Sequence, residues 1–320
     1  MNQPEQGQPG PKQPPDRGAP LDFWVDLVTH PERNRSGYVN FEHALDPAYR
    51  FRGDATELAR ANAWWLAEAS LLAYWPDAAQ VKEIYRTRTG LACEPVVVGN
   101  ILCHLAFNDR FAIVAFRGTR PDDWQDILDD ARFRMVDWTN GHVHGGFKGA
   151  FLDIRDALIG ALHSHAPNLP VWMTGHSLGA AIAVLAADTI PETKGVYTFG
   201  CPRVGDQIFV GHFNARFQSQ SFRYVDDHDV VTHLPPEPLG WPVGLYEHVN
   251  ERRWIDKDGN VGTGSPTLAH FVGDVFGQPV VLYHMLQLSM SGQLPLPDAL
   301  EDHAPVLYAT YAWNDLFKNP

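Results

Sequence analysis

The sequence predicts an α/β fold, a mostly parallel central sheet with helices on both faces. Three observations predict it. Short strand-like runs bounded by turn residues alternate with segments of helical periodicity. The 320 residues are 44% apolar and 20% charged, ordinary usage for a chain that buries a sizeable core. The chemically suggestive residues fall at the carboxyl ends of strands, where open α/β sheets carry their sites.

Residues 1–20 hold six Pro, four Gln and three Gly. Nothing in that composition packs, so the segment reads as a disordered tail, with residues 21–320 as one folded domain. From Thr56 to Trp75 the apolar positions Leu58, Ala61, Trp65, Ala69 and Leu72 recur at helical spacing, and Pro76 stops the helix. Val96 to Val98, Ile101 to Phe107 and Phe111 to Phe116 read as strands separated by Gly99-Asn100 and Asn108-Asp109 turns. Residues 147–165 form a helix with Phe151, Ile154, Leu158 and Leu162 on one stripe. Val171 to Met173 is a strand, Leu178 to Ala187 an Ala-rich helix, and Val196 to Phe199 and Phe222 to Val225 are further strands.

Lys and Arg number 25 against 38 Asp and Glu, a formal charge of −13. That balance argues against a nucleic-acid partner, whose phosphates demand clustered cations. It equally disfavours docking on an anionic membrane by charge alone. The longest apolar run, Ala180 to Ala187, is far short of the roughly 20 residues that span a bilayer, so no transmembrane segment is expected. Cys93, Cys103 and Cys201 make no closed disulfide framework. Cys93 and Cys103 flank a hairpin and are within pairing distance in sequence, but free buried thiols are the better reading. The N-terminus lacks the charged start, apolar core and small-residue cleavage site of a secretory signal. The default expectation is therefore cytoplasmic, with export by another route left open.

Gly175-His176-Ser177-Leu178-Gly179 is a G-x-S-x-G between a predicted strand and a small-residue helix. The glycines let the two backbones approach, and Ser177 is held in a strained turn with its hydroxyl exposed above the sheet. A serine hydroxyl at neutral pH needs a base, and the base needs an orienting group. In this architecture the order is serine, acid, histidine, so the search runs downstream. Asp226, Asp227 and Asp229 compete for the acid. Asp229 is favoured because Val230-Val231 and Leu234-Pro235-Pro236 shield it from water, which strengthens its hold on an imidazolium. His233, His248, His270, His284 and His303 compete for the base, and position alone favours His303 only modestly.

These motifs together resemble the fungal-type class 3 lipase family of α/β hydrolases, across residues 55–315. Phe116-Arg117-Gly118-Thr119 followed by Asp123-Trp124 resembles the family's oxyanion segment. Val143 to Phe147, Thr198 to Asp206, Asp229 to Pro236, Tyr246 to Ile255 and the Asp302-His303 pair follow in the family's order. The resemblance implies Ser177, Asp229 and His303 as catalytic triad, and the backbone N–H groups of Thr119 and Leu178 as oxyanion hole. Arg117, His144, Arg203 and His248 are structural on this reading, and no metal or organic cofactor is implied. Two features depart from the family. Arg120 to Asp130, at the lid position, carries five acids and only Trp124, Ile127 and Leu128 as apolar residues. Residues 261–300 form an insertion that reads equally as a cap or as a surface subdomain.

The implied activity is serine carboxylic-ester hydrolysis, first of all as a triacylglycerol lipase. A short-chain esterase and a phospholipase are the rivals within that chemistry. A non-catalytic interaction protein on the same fold is the rival outside it. The partner is an acyl-ester or lipid substrate, with transient contact at a lipid interface.

Overall fold

The computed structural model describes residues 9–13, 38–118, 134–227, 229–234, 246–264 and 303–320. Among the described residues are ten strands: β1 Ala92–Val98, β2 Ile101–Phe107, β3 Ala112–Phe116, β4 Met135–Asp137, β5 His142–His144, β6 Val171–His176, β7 Thr193–Phe199, β8 Ser221–Asp226, β9 Glu251–Ile255 and β10 Val261–Gly262. The longer helices are α1 Arg60–Leu72, α2 Ala78–Ile84, α3 Gly145–His165, α4 Leu178–Thr189, α5 Gln207–Phe217 and α6 Pro305–Lys318. Eight strands form one sheet in the order β1-β2-β3-β6-β7-β8-β9-β10. Its centre, β3 to β9, is parallel, and the flanking pairs are antiparallel. β4 and β5 form a separate hairpin.

Alternate side chains of each strand enter two cores, as a period of two requires. Trp172, Tyr197, Phe199, Phe222 and Tyr224 face one layer, together with α1 and α6. Val171, Met173 and Val196 face the other, with α3, α4 and α5. β6 and β8 are buried along their whole length, the polar Thr174, His176, Ser221, Arg223 and Asp226 included. The alanines of α4 are buried on every side and keep the helix close to the sheet.

Element boundaries moved where single contacts overrule periodicity. α1 begins at Arg60 rather than Thr56, because Ala59 stays extended with its N–H donated to Tyr197 Oη at 3.2 Å. β1 begins at Ala92 although Pro95 lies inside it; as an edge strand it tolerates the missing donor. Strand register separates the two cysteines at the hairpin: Cys93 faces Ala106, and Cys103 faces Val96. All three cysteines are free and buried, and burial pushes the Cys93 and Cys201 thiols up to about 12.

The reading of residues 1–20 as a tail in which nothing packs fails at Gly10 to Lys12. Trp313 Nε1 donates to Gly10 O at 2.8 Å, and the Asn314 side chain clamps Lys12 by donating to its O (3.0 Å) and accepting from its N (2.9 Å). Lys12 Nζ lies 3.8 Å from the buried carboxylate of Glu68, which also accepts from Tyr38, Asn40 and Trp64. Specific polar contacts hold the segment, and composition does not report those. The lid-like segment 120–130 and residues 265–300 of the insertion lie outside the described residues. No helix among the described residues is long and apolar enough to cross a membrane.

His104 on β2 and His144 before α3 are buried, and burial lowers both to about 4. Their folded values lie below the unfolded value near 6.5, so the unfolded chain binds protons that the folded chain refuses. Stability from this source is complete above about pH 6.5 and is lost as pH falls toward 4. At pH 5 the expected loss is about 2 kcal/mol per histidine. Urea unfolding at pH 7.5 and pH 5 measures it, and the double variant His104→Gln/His144→Asn should show a smaller difference. An unchanged pH slope in that variant would remove these histidines as the cause.

Candidate active site

β6 ends at His176 and α4 begins at Leu178, so Ser177 alone makes the turn between them. Its φ of 59° and ψ of −130° are a conformation that costs a non-glycine residue on the order of 1–3 kcal/mol. Contact between the flanking backbones enforces it. A β-carbon on Gly175 would sit 2.3 Å from the Gly179 carbonyl carbon, and one on Gly179 would sit 2.3 Å from the Phe116 oxygen. The Ser177 N–H donates to Phe199 O at 3.0 Å, which ties the turn to the end of β7. Against the expected exposure, Ser177 is fully buried beneath the surrounding chain, and its Oγ has no hydrogen-bond partner among the described residues. Leu178 is the first residue of α4, so its N–H is among the first-turn donors that the helix itself leaves unused.

Past the end of β8, Asp229 caps the 3₁₀ turn Val230–His233, its Oδ1 accepting from the Val231 N–H at 2.9 Å. Its Oδ2 accepts from His303 Nδ1 at 2.8 Å and from the Tyr308 hydroxyl at 2.5 Å. Asp229 is fully buried. A buried carboxylate is tolerable only with such donors around it. Tyr308 Oη also accepts from the Asp226 N–H at 3.2 Å. Burial, and then the charges of Asp229 and Asp226, push the Tyr308 phenol far above its ordinary value, so it stays a donor. An ionised carboxylate only accepts, so His303 Nδ1 carries the ring proton, and the neutral ring presents Nε2 as a lone pair.

Of the three competing acids, the structure joins Asp229 to His303. Asp226 is buried at the strand end, and Asp227 donates its N–H to Ile255 O. His270, His284 and Thr119 lie outside the described residues, as does the side chain of His233. His144 caps α3 by accepting from the Phe147 N–H and packs on the Phe147 ring. Arg117 donates to Asn100 O at 2.7 Å.

Two residues of the site escaped sequence reasoning. Tyr308 shares the helix that follows His303, a placement visible in sequence but without a motif. Gly200 has φ 58°, and a β-carbon there would lie 2.8 Å from both Asp229 Oδ2 and His303 Cε1.

A parallel sheet, a strained serine turn between strand and helix, and a carboxylate–histidine pair beyond the following strands define an α/β hydrolase. The profile of the class 3 lipase family matches residues 113–239, and the chain is similar to that family. Secreted mono- and diacylglycerol lipase A of Penicillium cyclopium and that of Penicillium camembertii are each 31% identical over 198 residues, 51% of this chain and 61% of theirs. A lipase of Rhizomucor miehei is 33% identical over 163 residues, 46% of this chain and 42% of its own. The chain thus covers less than two thirds of these relatives' length. The solved triacylglyceride lipase of Rhizomucor miehei covers 83% of this chain and 91% of its own at 20% identity, with a TM-score of 0.48.

The relatives correct one expectation. Their names describe secreted lipases, which points to export and overturns the cytoplasmic default. That default rested on a signal not recognised, and buried free thiols such as these say nothing about the compartment.

Gly200→Ala tests how tightly the pair is packed. The strained φ and the 2.8 Å approach should cost about 1–3 kcal/mol, read as a fall in Tm of several degrees. An unchanged Tm would mean that the Asp229–His303 contact has slack.

Proposed function

We propose that the chain is a serine carboxylic-ester hydrolase acting as a lipase on acylglycerols, triacylglycerols among them. The observation that carries the reading is the buried pair of Asp229 and His303, 2.8 Å apart, on a sheet whose strained turn presents Ser177. His303 Nε2 takes the proton of Ser177 as Oγ attacks the ester carbonyl. Asp229 keeps the proton on Nδ1 and stabilises the imidazolium that forms. The N–H groups of Leu178 and Thr119 receive the oxyanion, each worth roughly 2.7–4 kcal/mol of barrier. The protonated His303 then gives its proton to the departing alcohol. Water, deprotonated by the same ring, attacks the acyl-enzyme, releasing the fatty acid and restoring Ser177. Side chains and backbone suffice for every step.

The relatives named as mono- and diacylglycerol lipases support neutral glycerides as the substrate class. The formal charge of −13 also favours an uncharged ester over an anionic lipid surface.

Ser177→Ala should lower kcat by about 10⁶-fold with the fold intact, and Asp229→Asn by about 10⁴-fold through the wrong tautomer. Tributyrin hydrolysis, measured as the substrate crosses its solubility limit with Ser177→Ala as the blank, reads both substrate and mode. A jump at droplet formation means a lipase that works at the interface. Saturation below the limit means an esterase of dissolved substrate, and no rate above the blank would overturn the hydrolase reading.

A further inference from the structure

His176 precedes the serine, and its ring spans the site. Its Nε2 lies 2.7 Å from the carbonyl oxygen of His303, and its Nδ1 lies 2.8 Å from Tyr74 Oη. The His176 and His303 rings pack with centroids 4.3 Å apart. Tyr74, buried just past the end of α1, in turn meets the backbone of Gly118, two residues beyond β3. The fit there is close: a β-carbon on Gly118 would fall 2.1 Å from Tyr74 Oη and 2.6 Å from His176 O.

The directions of these bonds follow from chemistry. The His303 carbonyl only accepts, so His176 Nε2 carries the ring proton and donates it. Nδ1 is then a lone pair and accepts from the Tyr74 hydroxyl. Tyr74 has a lone pair left for the Gly118 N–H. Burial, and then the neighbouring His303, hold His176 well below its ordinary basicity, so the ring stays neutral and the bridge keeps its sense.

We propose that Tyr74 and His176 are positioning residues of the hydrolase: their bridge fixes the backbone of Gly118, beside Thr119, against the backbone of His303. The inference rests on the hydrolase reading above. Asp229 holds the imidazole of His303 by its Nδ1, and His176 holds the main chain from which that imidazole projects. The bridge thus sets the spacing between the loop that begins the oxyanion segment and the base. Errors of about 1 Å in such spacing typically cost about 10²-fold in rate.

Two measurements test it. At pH 7, ¹⁵N shifts of His176 should report a neutral ring with Nε2 protonated; an Nδ1–H ring or an imidazolium overturns the bridge whatever the activity. Tyr74→Phe removes the donor to Nδ1 and should lower kcat on a soluble ester by about 10–100-fold at near-constant KM and Tm. His176→Gln, whose amide can still reach the His303 carbonyl, should retain more activity than His176→Leu. Tyr74→Phe added to His176→Leu should cost nothing further, because the bridge is already broken. Additive losses, or full activity in Tyr74→Phe, would show that the two residues act only as packing. A wild-type rate no higher than Ser177→Ala would instead sink the hydrolase reading, and the positioning role with it.

Discussion

A carboxylate buried away from water holds the site together. Taking an ionised Asp229 out of solvent costs several kcal/mol unless donors replace the water. One donor, the Val231 N–H, comes from its own turn. The others, His303 and Tyr308, come from residues 74 and 79 positions further along the chain. The demand of one charge therefore brings the start of α6 to the end of β8. From there the constraint spreads. Trp313 of α6 packs on Trp64 of α1 at 4.8 Å, Trp64 donates to the buried Glu68, and Lys12 sits beside that same carboxylate. The first described residues, the first long helix and the last helix belong to one connected network that ends at Asp229.

The strain at Ser177 is the second constraint, and it runs against stability. Glycines at 175 and 179 let the end of β6 and the start of α4 touch, and the residue between them is left with φ 59°. The surrounding sheet over-determines the turn: β3 and β7 both hold it, through the Phe116 and Phe199 carbonyls. What results is a hydroxyl fully buried yet unspent in hydrogen bonding within the described residues. Buried polar atoms are normally satisfied, so an idle one is consistent with the nucleophile proposed above.

The buried histidines divide by their neighbours. His104 and His144 lie where burial dominates, and they stay neutral as parts of the core and of a helix start. His176 is also kept neutral, but its two ring nitrogens are both engaged, and that makes its tautomer a structural element. His303 alone among these four faces a carboxylate. One side-chain type thereby occupies four different settings, and the difference is set by what each ring touches.

Local patterns determined much of this protein. Period-two and period-3.6 spacing gave the alternation of strand and helix, hence the parallel sheet, and G-x-S-x-G gave Ser177 and its turn. These signals are legible because they act over a few residues, where sterics and solvent decide the backbone. The choice among three aspartates and five histidines was not settled by position, and only the ordered family motifs narrowed it. Tyr308, Gly200, Tyr74 and the docking of Gly10 to Lys12 left no trace in the periodicity. Each depends on groups far apart in the chain meeting across a packed interior. A side chain's sequence neighbours set its backbone, but its hydrogen-bond partners and its distance from water are properties of the folded whole.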